Sequence, residues 1–225
     1  MNDHTPLQIF ETLLTAYGYQ LWWPAESPFE MMVGAVLTQN TNWKNVEQAI
    51  GNLKAANMLD AASIACADHE QLAEVIRPSG FFNQKACRLQ LFSRFYIAHG
   101  EISGLKKQPM AEMRAQLLAL SGIGPETADS MLLYGLEKPI FVVDAYTRRI
   151  FTRLGLLPEK IDYDGIQNYF HQQLEPQLSL FQEYHALIVE HAKRHCRSQP
   201  VCDNCPLHAC CASSGSTSMQ NSPNS

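Results

Sequence analysis

Apolar residues in this chain recur at intervals of three and four, as in Phe29, Met32, Val33, Val36 and Leu37, and almost nowhere at intervals of two. That period puts them on one face of a helix and leaves no paired strands from which to build a sheet, so the expected fold class is all-α. Helix starts are legible too: Ser27 can cap, Pro28 suits the first helical position, and Glu30 completes a capping box. Further helices are expected near 5–17, 43–56, 68–76, 83–98, 109–120, 125–135, 145–154, 163–173 and 177–195. Ile140-Phe-Val-Val143 is the one stretch that could pass for a strand, and without a partner it reads as an extended segment. With 225 residues, 46% of them hydrophobic, the chain can bury a sizeable core in one large domain or two small ones. The Ser/Asn-rich stretch 212–225 is expected to be a disordered tail.

The sharpest local feature is Leu120-Ser-Gly-Ile-Gly-Pro-Glu-Thr-Ala128, with Val142-Val-Asp144 following twenty residues after the second glycine. Helical spacing on both sides makes Gly122 to Gly124 a tight turn between two helices. Pro125 fits the first turn of the second, whose free N–H groups can hold a phosphate. Taken whole, the net charge of -5 argues against a nucleic-acid partner, but it is unevenly spread: residues 1–76 carry -7, 77–153 carry +5 and 154–225 carry -3. The positive stretch contains the turn. Its Arg77, Lys85, Arg88, Arg94, Lys106, Lys107, Arg148, Arg149 and Arg153 could form a face for a phosphate backbone. No apolar run reaches membrane-span length and the N-terminus has no signal region, so a cytoplasmic protein with no membrane partner is expected.

Five of seven cysteines crowd the stretch 196–211, where Cys196, Cys202, Cys205 and then Cys210 or Cys211 are separated by five, two and four or five residues. In a cytosolic protein this favours a metal over disulfides, and spacing alone leaves zinc and an iron–sulfur cluster both open. Cys66 and Cys87 sit on helical patterns and read as plain core or surface residues. The histidines show no metal or triad pattern; His185, His191 and His195 read as surface polar groups or supports near the cysteines.

The glycine turn, the loop Gly135-Leu-Glu-Lys-Pro139 and Asp144 together resemble the helix-hairpin-helix, Gly/Pro-rich loop and catalytic Asp of the endonuclease III superfamily of DNA glycosylases. Leu21-Trp-Trp-Pro24, Leu37-Thr-Gln-Asn-Thr-Asn-Trp43 and Arg77-Pro-Ser-Gly-Phe-Phe-Asn-Gln-Lys-Ala86 look like its 3-methyladenine DNA glycosylase branch. The resemblance implies a six-helix domain over 24–138, a second helical domain from 1–23 plus 139–211, and a cleft between them for double-stranded DNA and its extruded damaged base. It implies a monomer whose Gly122, Gly124, Thr127 and Arg149 meet the DNA backbone, with Gln39, Trp22, Trp23 and Trp43 at the flipped base and the gap it leaves. It also favours a 4Fe–4S cluster on Cys196, Cys202, Cys205 and Cys211 over zinc, with Lys193, Arg194 and Arg197 near phosphate. The usual spacing in those relatives is six, two and five, so the first interval here is one residue short.

Two positions depart from the pattern of relatives that also cut the strand. Tyr146 stands where endonuclease III has a histidine, and Glu126 stands where the lyase members carry the lysine that forms a Schiff base. A carboxylate cannot form that imine, so the expected reaction is hydrolysis, with Asp144 stabilising an oxocarbenium-like sugar and orienting water. Cationic N-alkylated purines such as 3-methyladenine suit aromatic faces and already have a weakened glycosidic bond. The alternatives are a bifunctional glycosylase/AP lyase for oxidised pyrimidines, which would need another amine such as Lys138, and a non-catalytic module that binds DNA structure.

Overall fold

The computed structural model describes residues 4–213, which form twelve α-helices and, among the described residues, no strand. Apart from Ala212 and Ser213, the expected tail lies outside the described residues. The chain divides into two compact units, Trp23–Ile140 and Met1–Trp22 with Phe141–Ser225.

In Trp23–Ile140 the central element is α2 (Pro28–Leu37), buried at every residue from Phe29 to Leu37. A helix apolar on all sides has to be surrounded. It packs on α3 (Trp43–Ala55), α6 (Phe82–Ala98), α9 (Pro125–Ser130) and the π-helical turn Met131–Gly135 that continues α9. At Gly135 a Cβ would lie 2.4 Å from Met32 Cε, so glycine sets how closely the two elements approach. Ser27 caps α2, but the Glu30 carboxylate turns to Lys54 Nζ (3.1 Å) rather than back to the cap, so the expected capping box is only half made.

Lys85 departs most clearly from the expected basic face. It is fully buried, with Nζ donating to the Leu37 carbonyl at the end of α2 (2.8 Å) and to the Ser79 carbonyl (2.6 Å). Burial, and then the charge of Arg88, push its pKa down to about 8. Lys85→Met is expected to lower stability by about 1–3 kcal/mol, because it strands two buried carbonyls. A denaturation midpoint would read the loss, and the salt dependence of DNA affinity should stay as it was.

The helices α4 (Ala61–Cys66), α5 (His69–Val75), α7 (Glu101–Lys107) and α8 (Met110–Leu118) complete this unit. Sequence periodicity misses α4 and α7, which are six and seven residues long, although it finds α5 at the same length. Asp60, whose side chain caps α4, was the available signal. Cys66 and Cys87 are exposed, the latter with its thiol 3.8 Å from His69 Nδ1.

The other unit comprises α1 (Pro6–Tyr17), α10 (Ala145–Arg153), α11 (Tyr163–Gln173) and α12 (Leu178–Arg194). Phe141, Phe151, Phe170, Phe181 and Tyr184 are all fully buried here. Phe141 stacks on Phe170 at 3.9 Å, and the Tyr184 hydroxyl donates to the Pro6 carbonyl at 2.6 Å. Phe141–Val143 is extended and buried with no partner strand, so α11 satisfies its backbone instead. Phe141 N donates to His171 Nε2 (2.9 Å), Gln167 Nε2 donates to Phe141 O (2.7 Å), and Val143 N donates to the Tyr163 hydroxyl (3.3 Å). That segment leads directly into Asp144. No helix among the described residues is long and apolar enough to cross a membrane.

Candidate active site

Asp144 is the N-cap of α10. Its Oδ1 accepts from Thr147 N (2.6 Å) and from the Thr147 hydroxyl (2.8 Å). Its Oδ2 faces the buried His185 of α12, with Nε2 at 3.7 Å. Burial pushes the Asp144 carboxyl up, but His185 and the Thr147 donors outweigh it and hold the group below the ordinary carboxylate value. The carboxylate is thus ionised, buried and fixed through Oδ1, with Oδ2 toward His185. A capping role and a chemical role are compatible here: Thr147 occupies one oxygen and leaves the other.

His185 is not the surface polar group expected from sequence. Its ring also lies against Trp22, with centroids 5.5 Å apart, and two residues earlier on α12 Glu183 accepts from the backbone of Gln20 (2.5 Å) and Leu21 (3.4 Å). One helix therefore sets both Trp22 and the free side of Asp144. No motif marks His185 or Glu183, because the contacts join positions 41 and 163 residues apart, and α12 carries other polar residues among which these two do not stand out.

In the other unit, Trp23 meets Trp43 edge-on at 5.3 Å and Tyr134 at 5.3 Å, so adjacent tryptophans serve different units. Tyr134 was not foreseen; it lies in the π-helical turn, which repeats at neither helical nor strand period. The Trp43 indole donates to Glu47 (2.8 Å), placing a carboxylate at the edge of this aromatic group.

The hairpin is α8, the turn and α9, locked by the fork of Arg114 on the fully buried Asp129 (2.7 and 3.2 Å). Of the two glycines only Gly122 needs to be one: its φ is +84°, and a Cβ would sit 2.2 Å from Arg88 Nε. Gly124 has an ordinary extended φ of -89° with nothing within 4 Å of a Cβ, and caps α9 without a side chain. Gln39 is docked onto this turn. Its amide donates to Gly122 O (3.1 Å) and to the Thr127 hydroxyl (2.9 Å), while Arg88 donates to its oxygen. Glu126 is exposed in the first turn of α9.

Other members of the expected basic face are also committed to internal bonds. Arg94 donates to Ala65 O, Lys106 pairs with Glu137, and Arg148 donates to Ile161 O. Arg149 donates through Nε to Cys196 O (2.7 Å) and lies over the Tyr146 ring at 5.0 Å. Near the cysteines, Arg194 pairs with Glu190 and Arg197 donates to Lys193 O.

Cys196, Cys202, Cys205 and Cys211 line one cavity together with Ile150, Leu154 and Leu207. Cys210 does not line it; its thiol turns to the Leu207 carbonyl at 3.3 Å. Arg153, at the far end of the Asp144 helix, donates to Cys196 Sγ (3.3 Å), Arg197 O (2.6 Å) and Ser198 O (2.9 Å). Among the described residues no three or more His, Cys, Asp or Glu side chains converge as a site for a single metal ion. His191 is buried behind this loop, bonded to the Tyr17 hydroxyl (2.9 Å), and burial followed by His195 pushes its pKa down to about 4.

Residues 33–176 match the family model described as HhH-GPD superfamily base excision DNA repair protein. The chain is 49% identical over 209 residues to a Methanocaldococcus jannaschii protein named "Putative DNA repair glycosylase MJ1434", covering 92% of this chain and 95% of that one. It is 30% identical over 185 residues to endonuclease III of Thermotoga maritima, covering 82% of each. Among solved structures it is similar to H. pylori 3-methyladenine DNA glycosylase (MagIII) bound to 1,N6-ethenoadenine, with a TM-score of 0.76 and 31% identity over 85% of this chain and 98% of that one. A trapped endonuclease III–DNA covalent intermediate shares the fold, with a TM-score of 0.80 at 20% identity over 95% of this chain and 98% of that one.

Proposed function

We propose, from the premise that this chain belongs to the HhH-GPD superfamily of base excision DNA repair proteins, that it is a DNA N-glycosylase which releases an alkylated purine such as 3-methyladenine and leaves the abasic strand intact. The observation that carries this reading is Asp144: ionised, buried, and held through Oδ1 so that Oδ2 is left for chemistry. As the glycosidic bond breaks, its electron pair leaves with the base and positive charge gathers on the sugar, where a fixed carboxylate stabilises it. Water then bonds to the sugar carbon and gives up its proton to the Asp144 carboxylate, from which it passes to solvent. A cationic alkylated purine departs as a neutral molecule, so no strong general acid is needed. The MagIII likeness and the Trp23, Trp43 and Tyr134 group with Glu47 at its edge support a flat, electron-poor base as substrate.

Hydrolysis without strand scission is supported by the amines. Glu126 stands at the lyase position, Lys138 Nζ donates to the carbonyls of Lys106 (3.1 Å) and Gln108 (2.7 Å), and Lys85 is buried on two others. Duplexes carrying one alkylated purine, oxidised pyrimidine, uracil or mismatch each test this. Free base should appear from the alkylated duplex, the strand should break only after alkali, and borohydride should trap no covalent complex. A trapped complex would replace this reading with the lyase, and release of no base from any duplex would leave the non-catalytic DNA-binding module.

Cys196, Cys202, Cys205 and Cys211 are the residues that would hold a 4Fe–4S cluster. Four thiols on one cavity, with Arg153 donating to one of them, are a donor set that fits it. When bound, the cluster would tie the C-terminal loop together. Zinc is the alternative for four thiolates, and a yellow-brown purified protein excludes it because zinc has no visible band.

A further inference from the structure

We propose that His185 is the positioning residue for Asp144, holding its free oxygen in place and setting Trp22 with the same ring. This deepens the reading of Asp144 as the hydrolytic carboxylate and rests on it. Thr147 takes both of its bonds on Oδ1, so Oδ2 would be free to turn but for the imidazole 3.7 Å away. That distance is longer than a formed hydrogen bond, so in the resting protein the ring acts through the positive end of its N–H; such contacts commonly tighten when substrate is bound.

Most other ionisable groups on the helices that carry this pair, and on α11 beside them, are bonded elsewhere: His171 to Phe141 N and Tyr184 to the Pro6 carbonyl among them. On α12, Glu183 binds the Gln20 and Leu21 amides, Glu190 pairs with Arg194, and His191 is bonded to Tyr17. On α10, Arg148, Arg149 and Arg153 donate to the carbonyls of Ile161, Cys196 and Arg197, with Tyr146 under Arg149. From α11, Tyr163 is bonded to Val143 N. His185 is therefore the group whose removal changes the surroundings of Oδ2.

The sign follows. Asp144 is held below its ordinary value, so its charged form persists at neutral pH and is lost only as pH falls through that lowered value. Removing the His185 N–H moves the value up. The test compares wild type with His185→Phe, which keeps a ring against Trp22, and His185→Asn, which keeps a donor. The Asp144 carboxyl is titrated by carbon-13 NMR, assigned by Asp144→Asn, and single-turnover base release from the alkylated duplex is followed against pH. In His185→Phe the carboxyl midpoint and the acid limb of base release should both rise by about one pH unit or more, with kcat lowered more than KM changes. His185→Asn should bring both partly back. A carboxyl midpoint that stays put in both variants overturns the proposal whatever the rates do. A midpoint that rises while wild type releases no base upholds the positioning and overturns the hydrolytic reading instead.

Discussion

Asp144→Asn is expected to slow single-turnover base release by about 10³-fold, roughly 4 kcal/mol of barrier, and to leave affinity for undamaged duplex within about twofold. The substitution is informative because it keeps the structure that the carboxylate also serves. An asparagine oxygen can still accept from Thr147 N and its hydroxyl, and asparagine caps helices as well as aspartate does, so α10 should start where it does now. What disappears is the negative charge beside the forming sugar cation. Asp144→Ala would remove the charge and the cap together and should cost about 1 kcal/mol of stability besides. If the two variants are equally slow and only the alanine is less stable, charge is the chemical contribution and capping the structural one. Base release by the asparagine variant near the wild-type rate would move the chemistry to another residue.

Sequence periodicity carried the fold class because most of these helices bury one face, although α2 is buried all round, and the carboxylate was legible because its neighbourhood is local: Thr147 is three residues away and the run before it is four residues of apolar side chains. Other parts of the site were not, for reasons of distance and competition. Charge clustering says how many basic groups lie in 77–153, not what they bond to. Lys85 and Arg94 proved to be satisfying carbonyls, and Arg88 the Gln39 side chain, where a phosphate face was expected. A helix end whose last carbonyls lack donors recruits the nearest one, and a long side chain 48 or 29 residues away by sequence can be that donor. The same holds for the bonds that rest Gln39 on the glycine turn, and for His185, whose partner lies 41 positions earlier. The glycine pair shows the opposite failure: two identical residues in one motif have different physical warrants, a positive φ and a close Arg88 at Gly122, neither at Gly124.

With the proposed cluster bound, Cys211→Ser should release it and lower the melting temperature by about 8–16 °C, whereas Cys210→Ser should do neither. The size follows from the loss such a structural cluster would bring, about 4 kcal/mol, at roughly 2–4 °C per kcal/mol for a chain of this length. The direction follows from how the loop is tied. Arg149 and Arg153 of the Asp144 helix hold the carbonyls of Cys196, Arg197 and Ser198. In return the Arg153 carbonyl accepts from Ser213 N (3.2 Å), the Ser213 hydroxyl (3.1 Å) and the Cys211 thiol (3.5 Å). A loop closed at both ends on one helix loses both anchors when its centre opens, and Ile150, Leu154 and Leu207 then meet water. Cys210 does not line the cavity that Cys196, Cys202, Cys205 and Cys211 share. Because α10 begins at Asp144, the opened loop should also slow base release without touching the carboxylate, and the slowing should track the lost visible absorbance. A full metal content in Cys211→Ser with loss in Cys210→Ser would assign the fourth thiolate to Cys210, and a full content in both would leave the group with three.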